Sequence, residues 1–183
     1  MTAHTDRWLP GDATPARRVA RIVRVDHAGE YGAVRIYAGQ LAVLGRRDNA
    51  GLLRHMAAQE QAHLDVFAGL IAARRVRPTA LLPLWHLAGF ALGAATAAMG
   101  ARAAMACTAA VEEAIDTHYA RQAASLGDDE AGLRDTIERF RQDELEHRAT
   151  ALAHEAEQAP AYRLLAAVIK AGCRAAIALS ERL

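Results

Sequence analysis

The sequence predicts an all-α protein: a four-helix bundle with an extra apolar crossover helix and a C-terminal amphipathic helix. Three observations lead there. Apolar residues recur at helical spacing through both halves of the chain. Two Glu-x-x-His pairs, Glu60/His63 and Glu144/His147, each follow a lone glutamate, Glu30 and Glu112, by 30 and 32 residues. Between these halves, residues 78 to 101 contain no Asp, Glu, Lys or Arg.

Residues 1–16 hold Pro10, Gly11 and Pro15 and lack both the apolar run of a signal peptide and the Arg-rich amphipathic pattern of a transit peptide, so they read as a short flexible tail. Residues 17–183 are one domain's worth, in a chain of 183 residues that is 52% hydrophobic and long enough to bury a substantial core. The first helix is expected over 17 to about 46, with Val19, Ile22, Val23, Val34, Tyr37 and Leu41 as its apolar set and Glu30 in its middle. A turn at Arg47, Asp48 and Asn49 leads to a second helix over about 50 to 75, carrying Glu60 and His63. An antiparallel hairpin through that turn brings Glu30 and the Glu60/His63 pair to similar heights at a rise of about 1.5 Å per residue.

The second half repeats the geometry. A helix to about 126, a turn at Gly127, Asp128 and Asp129, and a helix to about 158 deliver Glu112 and the Glu144/His147 pair to one level. The charge-free stretch between the halves carries Leu81, Leu82, Leu84, Trp85, Leu87, Phe90, Leu92 and Met99, interrupted by Pro83, His86 and three glycines. Three readings fit it: a buried crossover, a helix lying in the membrane interface, or a transmembrane span. The last helix, 161 to 183, pairs Leu164, Leu165, Val168, Ile169, Ile177 and Leu179 with Arg163, Lys170, Arg174 and Arg182. Its apolar face is suited to the core, to a membrane surface or to a subunit interface.

Residues i and i+3 share a helix face, so each Glu-x-x-His aims a carboxylate and an imidazole at one point. One glutamate from each of two helices and a Glu-x-x-His from each of two others form a di-iron or di-manganese carboxylate site. Oxygen and nitrogen donors without thiolate argue against zinc and iron-sulfur clusters. Spacing alone does not choose between the adjacent Glu112 and Glu113. A net charge of +1 and a pI near 7.9 give no basic field to recommend nucleic acid as a partner. Cys107 and Cys173 lack C-x-x-C spacing and suit reduced, buried thiols in a cytosolic protein. No G-x-G-x-x-G motif follows a predicted strand, so no resident dinucleotide domain is expected.

The segments VDHAGEYGA (25–33), EQAH (60–63), MACTAAVEEAIDTHY (105–119), DELEH (143–147) and AGCRAAIALSERL (171–183) together resemble the demethoxyubiquinone hydroxylases, ferritin-like di-iron monooxygenases of ubiquinone biosynthesis. The resemblance runs from about residue 20 to 183. It implies a ferritin-like bundle and six iron ligands, Glu30, Glu60, His63, Glu112, Glu144 and His147, with Glu112 rather than Glu113 in the site. It implies two Fe cations per chain, and O2-dependent hydroxylation of a polyprenylated methoxy-methyl-benzoquinol ring. Reducing equivalents then come from an external donor such as NADH. The implied setting is the cytoplasmic side of a bacterial inner membrane, bound peripherally to the membrane surface, as a homo-oligomer or with other ubiquinone-biosynthesis proteins. The apolar stretch at 78 to 101 suits entry of a substrate whose isoprenoid tail stays in the bilayer.

Around the ligands, Asp26 and Asp143 are candidates to accept the second N–H of the imidazoles. His118 and Tyr119 are candidates for hydrogen bonding near the metal or for carrying electrons, the plainer reading being a core or rim pair. Glu146 reads as a solvated neighbour, and His27, His55, His86 and His154 as structural. Two competing functions remain at this level: a ferritin-like ferroxidase or iron-storage subunit, and a metal-free membrane-associated bundle. In the second, four converging glutamates would repel one another.

Overall fold

Thr14 opens the first helix. Its Oγ1 accepts the Arg17 N–H at 3.3 Å and Pro15 occupies the first turn, where a missing N–H costs nothing. Helix α1 (Pro15–Leu44) therefore starts two residues before the expected boundary. The computed structural model describes residues 14–47 and 50–183, so the expected tail up to residue 13, and Asp48 and Asn49 of the expected turn, lie outside the described residues. The remaining helices are α2 (Ala50–Ala73), α3 (Leu82–Ala98), α4 (Ala101–Ser125), α5 (Ala131–Ala153) and α6 (Tyr162–Ser180), with single 3₁₀ turns at Asp128–Glu130 and Ala156–Gln158. There is no strand among the described residues.

The predicted all-α class holds, and α1, α2, α4 and α5 form the ligand-bearing bundle. The fourth bundle helix ends earlier than expected. Its C-cap, His154, leaves helical geometry and Glu155 takes the left-handed conformation at φ 63°, so 156–158 form a separate turn. That break lets the chain reverse onto α6, which packs on α4.

Two apolar clusters close the bundle interior from opposite ends. Leu44, Leu53, Met56, Ala103, Ala106 and Ala151 pack at one end. Val19, Ile22, Val23, Phe67, Ile137 and Phe140 pack at the other. The ligand-bearing middle turns of four helices lie between them. Helix α4 is the axis of this arrangement: Ala103, Ala104, Ala106, Ala109 and Ala110 are all buried, and their short side chains let α3, α5 and α6 approach it together.

Helix α3 packs chiefly along α1, outside the four-helix core. Its apolar composition does not make it a span: among the described residues no helix is long and apolar enough to cross a membrane. With 17 residues, α3 is also shorter than the roughly 20 a spanning helix needs. The structure shows a crossover helix with one face covered by the bundle and the other exposed. Gly89, Gly93, Thr96 and Ala97 are buried against the bundle, while Leu84, Leu87 and Phe90 are exposed. The backbones of α1 and α3 nearly touch, since a Cβ on Gly93 would collide with the Ile36 carbonyl and one on Gly39 with the Phe90 carbonyl. Gly100, at φ 116°, then turns the chain sharply from α3 into α4, a conformation open to glycine and strained for other residues.

Helix α6 and the start of α3 are pinned together. Trp85 Nε1 donates to Ser180 Oγ at 3.1 Å and the Ala80 N–H to the Leu183 carbonyl at 3.2 Å. Outward from these contacts, Leu164, Val168 and Leu179 of α6 are exposed. Cys107 and Cys173 are both free thiols, the first buried and the second half-buried.

Candidate metal centre

Helical periodicity brings all six sequence-predicted ligands into the bundle interior, each at most 3% exposed. Glu30 comes from α1, Glu60 and His63 from α2, Glu112 from α4, and Glu144 and His147 from α5. They form two overlapping groups: Glu30, Glu60, His63 and Glu144, and Glu60, Glu112, Glu144 and His147, with the donor atoms of each group within 4.8 Å of one another. Glu60 and Glu144 belong to both groups, so each could serve two ions. Glu113 is turned away to Lys170 Nζ at 2.7 Å, and Glu146 is exposed.

Both imidazoles present Nδ1 to the interior. His63 Nδ1 lies 3.3 Å from Glu144 Oε1 and 3.6 Å from Glu30 Oε2. His147 Nδ1 lies 3.0 Å from Glu60 Oε1 and 3.4 Å from Glu144 Oε2. Yet these two nitrogens, both oxygens of Glu60 and of Glu144, and one oxygen each of Glu30 and Glu112 are buried without a hydrogen-bond partner. Buried polar atoms are normally satisfied, so eight convergent orphans describe a cradle for cations. The donor set fits hard or borderline cations such as iron or manganese.

The electrostatics agree. Burial, followed by the repulsion of Glu144 and its neighbours, pushes Glu60 and Glu112 well above the ordinary carboxylate range. Burial raises Glu30 as well, against the opposing pull of His63. Burial also acts upward on Glu144, but His147 and His63 outweigh it and hold this carboxyl below its ordinary value. Burial disfavours charge on His63, yet the Glu144 and Glu30 carboxylates raise it to about 11. Four carboxyls crowded together raise one another and draw a proton onto His63, and bound cations would offset that crowded negative charge instead.

The outward nitrogens fix the rings. His63 Nε2 meets Asp143 Oδ2 at 3.0 Å, as expected for Asp143, and its ring stacks on Phe140 with centroids 3.9 Å apart. His147 Nε2 meets Gln59 Oε1 at 3.1 Å. Asp26 does not take the role expected of it. It accepts from Gln122 Nε2 at 2.7 Å and lies 3.6 Å from His118 Nε2, rather than holding a ligand imidazole. His118 thus belongs to a polar chain beside the centre, while Tyr119 reaches the centre itself, its hydroxyl donating to Glu30 Oε1. Of the remaining histidines, His86 Nδ1 pairs with the Tyr31 hydroxyl at 2.7 Å.

Sequence reasoning missed two residues. The sequence marks Tyr37 only as an apolar position, but its hydroxyl donates to Glu112 Oε1 at 3.2 Å. Gln59 was not singled out. Both were findable by comparing the halves: Tyr37 and Tyr119 each lie seven residues after a lone glutamate, and Gln59 and Asp143 each precede a Glu-x-x-His.

Two cavities are lined by helices that carry the centre. An apolar one of about 380 Å³ lies between α1, α3, α4 and α6, and Gly29, Ala33, Val111 and Ile115 on its wall neighbour Glu30 and Glu112 in the chain. The other, about 540 Å³, is a groove where Arg21, Arg121, Lys170 and Arg174 gather beside His118 and Gln122.

Comparison with known proteins adds an independent finding. The family model described as "Ubiquinone biosynthesis protein COQ7" matches residues 17–180. A Rhodospirillum rubrum protein named 3-demethoxyubiquinol 3-hydroxylase is 62% identical over 175 residues, covering 95% of this chain and 82% of that protein. A Mus musculus protein named NADPH-dependent 3-demethoxyubiquinone 3-hydroxylase, mitochondrial, is 56% identical over 168 residues, 90% of this chain and 77% of its own length. A Saccharomyces cerevisiae protein named 5-demethoxyubiquinone hydroxylase, mitochondrial, is 42% identical over 180 residues, 89% of this chain and 77% of its own length.

Proposed function

We propose that this chain, which belongs to the Ubiquinone biosynthesis protein COQ7 family, is an O2-dependent di-iron hydroxylase acting on the ring of a polyprenylated demethoxyubiquinol. One observation carries the reading. The same turns of α1 and α4 build both a buried cradle of four carboxylates and two imidazoles and the wall of an apolar cavity.

Glu30 and His63 would hold one iron, Glu112 and His147 the other, with Glu60 and Glu144 shared. A bound iron pair would supply the reduction of O2, one oxygen atom going to the ring and the other to water with two electrons from the external reductant. The chain's own residues do the placing. Tyr119 and Tyr37 fix the outer oxygens of Glu30 and Glu112, and Asp143 and Gln59 hold the imidazole planes. Ala33, Ile36, Leu92, Val111, Ile115 and Ile169 line an apolar slot suited to a quinol ring with the start of its tail. The exposed Leu84, Leu87 and Phe90 of α3 and Leu164 and Val168 of α6 support peripheral attachment to the cytoplasmic face of a bacterial inner membrane, where such a tail resides. The reductant is external. NADPH, in the name of the mouse relative, is the donor we assign, and the groove at Arg21, Arg121 and Arg174 supplies the positive charge a phosphate-bearing donor needs.

No observation favours the ferroxidase or iron-storage alternative. An apolar cavity lined by the cradle's helices has no use in storing hydrated ions. Quinone profiling of a strain lacking this protein tests the proposal. Demethoxyubiquinone should accumulate, and wild type should restore ubiquinone while Glu112→Ala and His147→Ala should not. A normal ubiquinone pool in the deletion strain refutes the assignment.

A further inference from the structure

The groups that surround the cradle occupy matching positions in the two halves, and the match breaks in charge. Tyr37 and Tyr119, each seven residues after a lone glutamate, donate to the glutamate of the opposite half. Gln122, ten residues after Glu112, donates to Asp26, four before Glu30; Gln40, ten after Glu30, donates to Thr108, four before Glu112. The residue preceding each Glu-x-x-His crosses the bundle to the other pair's imidazole, Asp143 to His63 and Gln59 to His147. Around Glu30 and His63 the paired positions are therefore Asp26 and Asp143. Around Glu112 and His147 they are Thr108 and Gln59.

The distinction has chemical content. With Nδ1 turned to the cradle, Nε2 carries the ring proton and donates it outward. A carboxylate acceptor draws that proton more strongly than an amide oxygen, leaving more electron density on Nδ1. The two acceptors sit at nearly equal distances, 3.0 and 3.1 Å, so their charge and not their reach sets the difference.

We propose that Asp143 and Gln59 are positioning residues that make the two ion sites unlike, the Glu30/His63 site holding its ion more tightly than the Glu112/His147 site. This rests on the di-iron reading above. It predicts an order of loading and loss: the ion beside Gln59 enters last and leaves first.

The test uses the iron-loaded full chain enriched in ⁵⁷Fe, followed by Mössbauer spectroscopy and by release of iron to a chelator. Wild type should show two quadrupole doublets of equal area and two release phases of equal amplitude. Asp143→Asn should move one doublet and speed the slow phase by about 10- to 100-fold, the usual effect of losing such an outer partner. Gln59→Glu should move the other doublet and slow the fast phase, so the proposal stays testable if one variant fails to fold. One doublet with one release phase in wild type, or variants that leave both phases unchanged, would overturn the inequivalence while leaving the di-iron reading intact. Iron near zero in wild type would sink both.

Discussion

Two glycine-to-alanine changes in mid-helix should shift stability in opposite directions. Alanine is favoured over glycine in a helix interior by about 0.5–1 kcal/mol, because glycine loses more backbone freedom on folding. At Gly69, exposed on α2 with nothing within 4 Å of a new Cβ, that gain should appear undiminished. At Gly93 the same Cβ runs into the Ile36 carbonyl oxygen and lies 2.8 Å from its carbon and 3.0 Å from its Cα. These are backbone atoms of a packed helix and cannot step aside as a flexible side chain would. Overpacking of this kind costs about 1–3 kcal/mol, so the net effect is a loss of roughly 0.5–2 kcal/mol after the propensity gain. For a chain of this size one kcal/mol corresponds to about 2–4 °C in Tm. Thermal unfolding by circular dichroism, on samples matched for iron content because bound metal shifts Tm, should show Gly69→Ala melting about 1–4 °C above wild type. Gly93→Ala should melt about 1–8 °C below it. If Gly93→Ala instead melts above wild type, the close seating of α3 on α1 is wrong, and with it the fixed wall of the apolar cavity.

Other perturbations read other parts of the molecule. Tyr37→Phe, which leaves a buried Glu112 oxygen without its donor, should cost about 1–3 kcal/mol in denaturant unfolding, and an unchanged midpoint would discount that hydrogen bond. Phe140→Ala removes the ring stacked on His63 and should cost about 3–5 kcal/mol while lowering iron retained after dialysis; full retention would show that the stack does not hold the ligand. In protein stripped of metal, Glu30, Glu60 and Glu112 are raised above 4.5 and His63 is raised from 6.5 to about 11. Each raised carboxyl contributes stability that is complete below about pH 4.5 and fades as pH rises toward its folded value. His63 contributes stability complete below about pH 6.5 and lost toward 11, whereas the lowered Glu144 works in the opposite sense and only on the acid side. The stripped protein should therefore lose stability relative to the loaded one as pH climbs from 5 to 9, and parallel Tm curves would contradict this. Leu87→Glu with Val168→Glu, at positions 69% and 61% exposed, should leave Tm nearly unchanged yet reduce co-sedimentation with anionic lipid vesicles tenfold or more; undiminished binding would remove these faces from membrane contact.

The bundle was legible because its signal is periodic and doubled. Glu30 and Glu112 stand at like distances from two Glu-x-x-His pairs, and antiparallel hairpins convert equal distances along the chain into equal heights in space. Helix ends were less legible where a single torsion decides them, as at Glu155, whose left-handed turn ends α5 while its composition still favours helix. The stretch at 78 to 101 resisted assignment for another reason. Hydropathy records how greasy a segment is but not what covers it, and Gly39, Gly89 and Gly93 mark the covered side only once the partner helix is known. Tyr37 stayed hidden because an aromatic at a core position looks the same whether or not its hydroxyl has an acceptor. Asp26 misled because one turn from a ligand along a helix is not the same place as behind a ligand on the neighbouring one.

Neither hairpin can finish an ion's surroundings by itself. Three of the four side chains gathered around each position belong to one hairpin and the fourth, Glu144 or Glu60, is lent by the other. A nascent chain that has emerged only as far as α4 offers an incomplete set at both places. Secure metal capture would have to wait until Ala131–Ala153 has docked, so the cradle is whole only when both hairpins are in place.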